Sequence, residues 1–191
     1  MKFIILLGKS GSGKGTQAIL LKTKFHLGHI NSGALLRARA RRKDFIGNGL
    51  AKIMARGALI PTPLVFHLWL HTLEQFRKQK KFHGAIFEGS PRKLYEANML
   101  QETLEFYGWS SNIVVLYIKI SDREAMKRLL NRGRHDDEGH AIKNRLVWFR
   151  KEVRPVIEFY RKKKELVEIN GEQPVEKVFK EIVGKLKRFH A

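Results

Sequence analysis

The stretch Gly8-Lys9-Ser10-Gly11-Ser12-Gly13-Lys14-Gly15-Thr16 decides how the rest of the chain is read. It follows an apolar run, Phe3 to Leu7, and precedes a segment of helical character. Its spacing is G-x-x-x-x-G-K, then a small residue, then Thr. Glycines let the chain turn tightly and aim successive N–H groups at one point, which makes an anion nest. A helix N-terminus behind the nest adds partial positive charge. Lys14 brings a full charge suited to β- and γ-phosphates. A turn that is merely rich in glycine would not need this strand–loop–helix setting. One position departs from the usual cradle: Gly15 stands where Ser or Thr supplies a Mg²⁺-ligating hydroxyl, and Thr16 follows it.

Outward from this loop, further short apolar runs read as buried strands: Ala85 to Phe87, Ile113 to Ile120, Leu166 to Ile169, and a shorter one at His29–Ile30. Longer helical segments separate them. Strands alternating with helices predict βαβ units and a parallel sheet covered on both faces. Ser121-Asp122-Arg123-Glu124 reads as a capping box opening a helix that carries Met126, Leu129 and Leu130. Ile142, Leu146, Phe149, Val153, Ile157 and Tyr160 form one apolar stripe on a long helix, which Pro155 is expected to kink. Val175, Val178, Phe179, Ile182 and Leu186 give a last amphipathic helix. Leu64 to Phe76 is apolar nearly all round and is expected to be buried.

Composition narrows the function. The chain has 191 residues, with 38 Lys+Arg against 18 Asp+Glu, a formal charge of +20. That length fits one domain, and 43% hydrophobic residues suffice for a core, which excludes global disorder. The absence of cysteine excludes disulfides, thiolate zinc sites and cysteine nucleophiles. No apolar run reaches the length of a membrane span or a signal peptide. A soluble, cytoplasmic protein with anionic partners is expected.

The motifs together resemble the nucleoside monophosphate kinases, adenylate kinase above all and its short-lid type. Gly13-Lys14-Gly15-Thr16-Gln17 is similar to that family's P-loop. His29 to Gly33, with Leu35-Leu36-Arg37, resembles the start of its monophosphate-binding insertion, and Gly57-Ala58-Leu59-Ile60-Pro61 the end. Glu88-Gly89-Ser90-Pro91-Arg92 resembles D-G-F-P-R. Arg132-Gly133-Arg134-His135-Asp136-Asp137, then Arg145-Leu146, resembles a short lid, and Asn170-Gly171 before Pro174 the final nucleotide-contacting turn.

The resemblance implies an α/β P-loop fold with a five-stranded parallel sheet, a core at 1–30, 61–131 and 141–191, a helical acceptor insertion at 31–60 and a lid at 132–140. It implies reversible phosphoryl transfer from ATP to a nucleoside monophosphate, AMP by family default, with Mg²⁺, without zinc, in a monomer. Such chemistry must neutralise and align two polyanions and exclude water. By resemblance, Gly11, Ser12, Gly13, Lys14, Gly15, Thr16, Arg128, Arg132 and Gln173 bind ATP, with Arg128 stacked on the donor base. Ser32, Arg37, Ala58, Leu59, Ile60, Gly89, Arg92, Glu96, Arg134 and Arg145 bind the acceptor, Arg37 and Arg92 holding its α-phosphate. Arg132, Arg134 and Arg145 clamp the group in flight. Glu88 is expected to orient Mg²⁺-bound water, although the family usually has Asp there.

The acceptor pocket departs from the family. Ser32 stands for Thr, Ala34 for Asp, Ser90 for Phe, and Glu96 for a Gln that reads adenine. An ionised Glu only accepts hydrogen bonds. A kinase preferring CMP, UMP or GMP is therefore an alternative, as is a catalytically weakened nucleotide- or RNA-binding protein. The other reading of Glu96 is an irrelevant, solvent-facing side chain. His67 and His71 have metal-ligand spacing, but no third ligand accompanies them, so packing or surface roles are expected. The basic run Arg37 to Lys43 reads as a solvated face with Arg37 turned inward; nucleic-acid contact is the less favoured reading.

Overall fold

The molecule is described by a computed structural model covering residues 1–133 and 139–189, with the side chains of residues 188 and 189 left aside. Its strands are β1 (Lys2–Leu7), β2 (Gly28–Asn31), β3 (Gly84–Glu88), β4 (Ile113–Lys119) and β5 (Leu166–Asn170). They form one parallel sheet in the order β2-β3-β1-β4-β5. Side chains alternate across each strand, so β1 serves two cores. Phe3, Ile5 and Leu7 pack on one face with Trp69, Leu100, Ile157 and Tyr160. Ile4 and Leu6 pack on the other with Ala18, Leu21, Val178, Ile182 and Leu186. The result is the expected three-layer α/β arrangement of the P-loop type.

The helices are α1 (Lys14–Phe25), α2 (Ser32–Ala40), α3 (Phe45–Ala55), α4 (Thr62–Arg77), α5 (Leu94–Phe106), α6 (Asp122–Arg132), α7 (Gly139–Trp148), α8 (Arg154–Lys162) and α9 (Val175–Phe189). The chain runs from β1 to β2 on one side, then through β3 to β4 on the other. The strand order thus reverses around β1, and the Gly8–Gly13 loop sits at that switch point, where parallel sheets bind ligands beyond their carboxyl ends.

Several local expectations are corrected. The stripe from Ile142 to Tyr160 is buried throughout, but a π-helical turn, Phe149–Val153, divides its helix. Pro155 follows this turn at the start of α8, in a helical run unbroken from Gly139 to Lys162. On α4, Val65, Trp69 and Leu73 are buried but His67 and His71 face solvent, so the helix is half-covered, not buried all round. Leu130 and Val175 are exposed within their helices. The Ser121 hydroxyl accepts from the Glu124 N–H as a cap should, at 3.2 Å. The reciprocal half of the box is missing: the Ser121 N–H donates to Glu172 at 2.6 Å, while Glu124 pairs with Arg128 at 2.6 Å.

Candidate active site

The loop after β1 places two glycines where a side chain would clash or strain the backbone. A Cβ on Gly8 would lie 2.6 Å from the Ile118 carbonyl oxygen, and Gly13, the N-cap of α1, has φ +88°. Both positions follow from the sharp entry into α1. Lys14 folds back over this loop. Its amine donates to the carbonyls of Gly8 at 2.7 Å and Lys9 at 2.6 Å, and reaches the Ser12 hydroxyl at 3.4 Å. Burial pushes its pKa down to about 8; Glu88 opposes that shift, and Arg92 and Arg132 add to it. The amine thus responds electrically to both sides of the cleft.

Beyond the carboxyl edge of the sheet opens a cleft of about 840 Å³. Its walls combine Gly11, Ser12, Gly13, Lys14, Gly15 and Thr16 from the loop with Arg128, Arg132, Arg145 and Gln173. Opposite them stand Arg37, Ala58, Leu59, Ile60, Glu88, Gly89 and Arg92. Arg37 is turned into the cleft, while Arg41, Arg42 and Lys43 on the same basic run are exposed. Arg92 donates from Nε to the Gly89 carbonyl at 2.8 Å. Burial presses its guanidinium below its usual range, and Glu96 is the strongest opposing charge. Arg128 is oriented by Glu124 and by the Gly171 carbonyl at 3.0 Å. Gln173 donates to Glu181 at 2.7 Å and to the Asn170 carbonyl at 3.0 Å. Arg134, with His135, Asp136 and Asp137, lies outside the described residues.

Glu88 ends β3 facing the phosphate loop. A Cβ on Gly15 would carry its atom to 3.2 Å from Glu88 Oε1, so the small residue at 15 makes room for the long acid at 88. Glu88 Oε2 takes a hydrogen bond from Asn31 Nδ2 at 2.6 Å and meets His29 Nε2 at 2.9 Å. Asn31 also caps α2 by accepting from the Ala34 N–H at 2.8 Å. His29 and Asn31 escaped the sequence reading as site residues. The signal was in the pairing: Asn31 lies opposite Glu88 in the β2–β3 register.

Ser32 and Glu96 do not line the main cleft. Ser32 donates to the Ser90 hydroxyl at 3.0 Å in a buried pair. Glu96 borders a small adjoining cleft with Leu36, Leu59, Ile60, Val65, Gly89, Ser90 and Arg92. It is buried, which removes the solvent-facing reading. The Ser90–Pro91 bond is cis. His71 bonds Gln75 at 3.0 Å on the exposed face of α4. Among the described residues no three His, Asp or Glu side chains gather as a metal site, and no helix is long and apolar enough to cross a membrane.

A phosphate nest, a lysine and arginines from several segments converge here on a cleft fit for two anionic ligands end to end. The family model described as adenylate kinase matches residues 6–165. An adenylate kinase of Azobacteroides pseudotrichonymphae is 35% identical over 185 residues, covering 95% of each chain. Adenylate kinase 1 of a Nostoc species is 36% identical over 186 residues, covering 97% of this chain and 99% of the relative.

Proposed function

The chain belongs to the adenylate kinase family and is an ATP-dependent nucleoside monophosphate kinase; from that premise we propose how its residues divide the work of moving the γ-phosphoryl of ATP onto AMP. The insertion 31–60, carrying α2 and α3, closes on the acceptor, and a lid at 132–140 closes on the donor. The loop N–H groups and Lys14 hold the donor phosphates. Lys14 leaves its loop carbonyls when phosphate oxygens arrive, so binding exchanges one set of acceptors for a better charged one. Arg37 and Arg92 hold the acceptor's α-phosphate. Arg132, Arg134 and Arg145 cover the equatorial oxygens of the group in flight, where charge accumulates. Arg128 offers its guanidinium plane to the donor base.

Glu88 supplies hard oxygen donors beside the loop, where Gly15 leaves room for its long side chain. That donor chemistry fits a magnesium ion held through water, whose contribution when bound with ATP is to neutralise charge on the β- and γ-phosphates. His29 and Asn31 keep the carboxylate aimed.

The observation that carries this reading is the convergence of Lys14, Arg37, Arg92, Arg132 and Arg145 on one cleft. The test is a coupled assay of ADP release with ATP and each of AMP, CMP, GMP and UMP. Turnover with AMP preferred supports the reading; no turnover with any acceptor removes it.

A further inference from the structure

Six polar or charged side chains are buried among the described residues; Ser90 and Glu96 line the small cleft with Arg92, and Ser32 and Thr62 are hydrogen-bonded to them. Glu96 is the one carboxylate among the six. A buried carboxylate is costly unless hydrogen bonds and a countercharge compensate it. Its oxygens are both engaged. Oε1 accepts from the Thr62 hydroxyl at 2.7 Å, and Oε2 accepts from the backbone N–H of Arg92 at 2.7 Å. Thr62 in turn accepts from the Tyr95 hydroxyl at 2.5 Å. Thr62 has one hydrogen, so the relay runs in one direction, from Tyr95 through Thr62 to Glu96. Thr62 opens α4 just after the Gly57–Pro61 wall of the acceptor side, and Arg92 follows β3. The carboxylate therefore joins the end of the acceptor insertion to the main chain of an acceptor-facing arginine.

We infer that Glu96 is a positioning residue: the Tyr95–Thr62–Glu96 relay braces the Arg92 main chain and so aims its guanidinium at the acceptor phosphate, instead of reading the acceptor's base. This rests on the kinase reading above. Reading adenine through its Watson–Crick edge needs a donor for N1, which a carboxylate lacks. Bracing needs an acceptor on each oxygen and a charge beside a buried guanidinium, which a carboxylate supplies. A glutamine has one acceptor oxygen and no charge, so it cannot replace the carboxylate in this role. The electrostatic balance at Arg92 agrees, since Glu96 is the largest charge favouring the ionised guanidinium against burial.

The two roles give opposite signs in one experiment. Steady-state kcat and KM are measured with AMP, GMP and CMP for wild type, Glu96→Gln, Glu96→Ala, Thr62→Val and Tyr95→Phe. Affinity for a non-hydrolysable ATP analogue and thermal melting are measured alongside. A brace predicts that Glu96→Gln lowers kcat/KM about tenfold for every acceptor, the loss of a charged hydrogen bond, and Glu96→Ala about 100-fold. Thr62→Val follows by several-fold and Tyr95→Phe by about twofold. The AMP:GMP:CMP ratios and the ATP-analogue affinity stay as in wild type. Improved AMP use with worsened GMP or CMP use in Glu96→Gln would show a base reader and overturn the brace. So would Thr62→Val and Glu96→Gln melting lower with unchanged kcat/KM, which marks a purely structural role. If Glu96→Ala does not fold, the Gln, Val and Phe variants still decide the question. A wild type inactive on every acceptor removes the kinase reading and the brace together; an active wild type with a base-specific Glu96→Gln effect removes the brace alone.

Discussion

The donor and acceptor halves of the cleft are built by different means. In the phosphate loop of the donor half the contacts are local: Lys14 reaches Gly8, Lys9 and Ser12, with a longest separation of six positions. In the acceptor half they are remote: Ser32 meets Ser90 across 58 positions, His29 meets Glu88 across 59, and Thr62 meets Glu96 across 34. The donor half shapes an anion nest from backbone N–H groups, whose direction glycine conformations fix. The acceptor half shapes its surface from side chains that only sheet register and helix packing bring together. Glu88 sits where the two meet, taking Asn31 across the sheet while Gly15 of the loop leaves room for its side chain.

The sharpest way to break this comparison is to remove the one side chain on which the donor half depends. Lys14→Met leaves the nest of N–H groups intact but deletes the charge that faces both phosphate groups. Its kcat should fall by about 10³-fold or more, with the melting temperature unreduced. Single-turnover measurements at saturating ATP and AMP check this, and a loss below about tenfold would mean that the backbone nest alone carries the donor half.

The same lysine predicts a pH dependence. Its folded pKa, about 8, lies below its ordinary value of 10.5. Between those values the unfolded chain binds the proton and the folded one releases it. Stability contributed by this group therefore rises with pH from about 8 to 10.5 and is flat outside that window. Below it, the buried ammonium is a penalty of at most about 3 kcal/mol. Urea unfolding at pH 7 and pH 10 should find Lys14→Met more stable than wild type at pH 7, with the gap closing at pH 10. A gap that is constant with pH would place the lysine's charge in solvent.

The fold and the donor half were legible in the sequence because both write themselves locally. Phe3 to Leu7, the glycines after it and Lys14 lie within a few residues, and alternating apolar runs with helical stripes announce a parallel sheet. The acceptor half was legible only by residue type. Arg37 and Arg92 were found by resemblance, but nothing in the spacing told that Glu96 would turn toward Thr62 and Arg92. Nor did it tell that His29 and Asn31 would take Glu88, since these partners meet only once β2 is registered on β3. The same limit explains the capping box at Ser121. Its local pattern was complete, yet Glu172, 51 positions away, supplied the reciprocal acceptor.

The smallest expected effect sharpens the comparison most finely, because it separates a residue's local duty from its remote one. Asn31 caps α2 through Oδ1 and holds Glu88 through Nδ2. Serine is as good an N-cap as asparagine but is too short to restore the Glu88 contact. Asn31→Ser should therefore keep wild-type stability while freeing one side of the Glu88 carboxylate. Asn31→Ala loses both duties and should in addition destabilise the protein by about 1 kcal/mol. If Glu88 serves the reaction as proposed, both variants should lower kcat about threefold to tenfold and raise the magnesium concentration needed for half-maximal rate. Denaturant unfolding and a magnesium titration of the rate measure the two duties separately. Asn31→Ser matching wild type in both would mean that Glu88 stays aimed without the Asn31 contact. A stable Asn31→Ser with a weakened magnesium response would assign the long-range contact to catalysis and the cap to the fold.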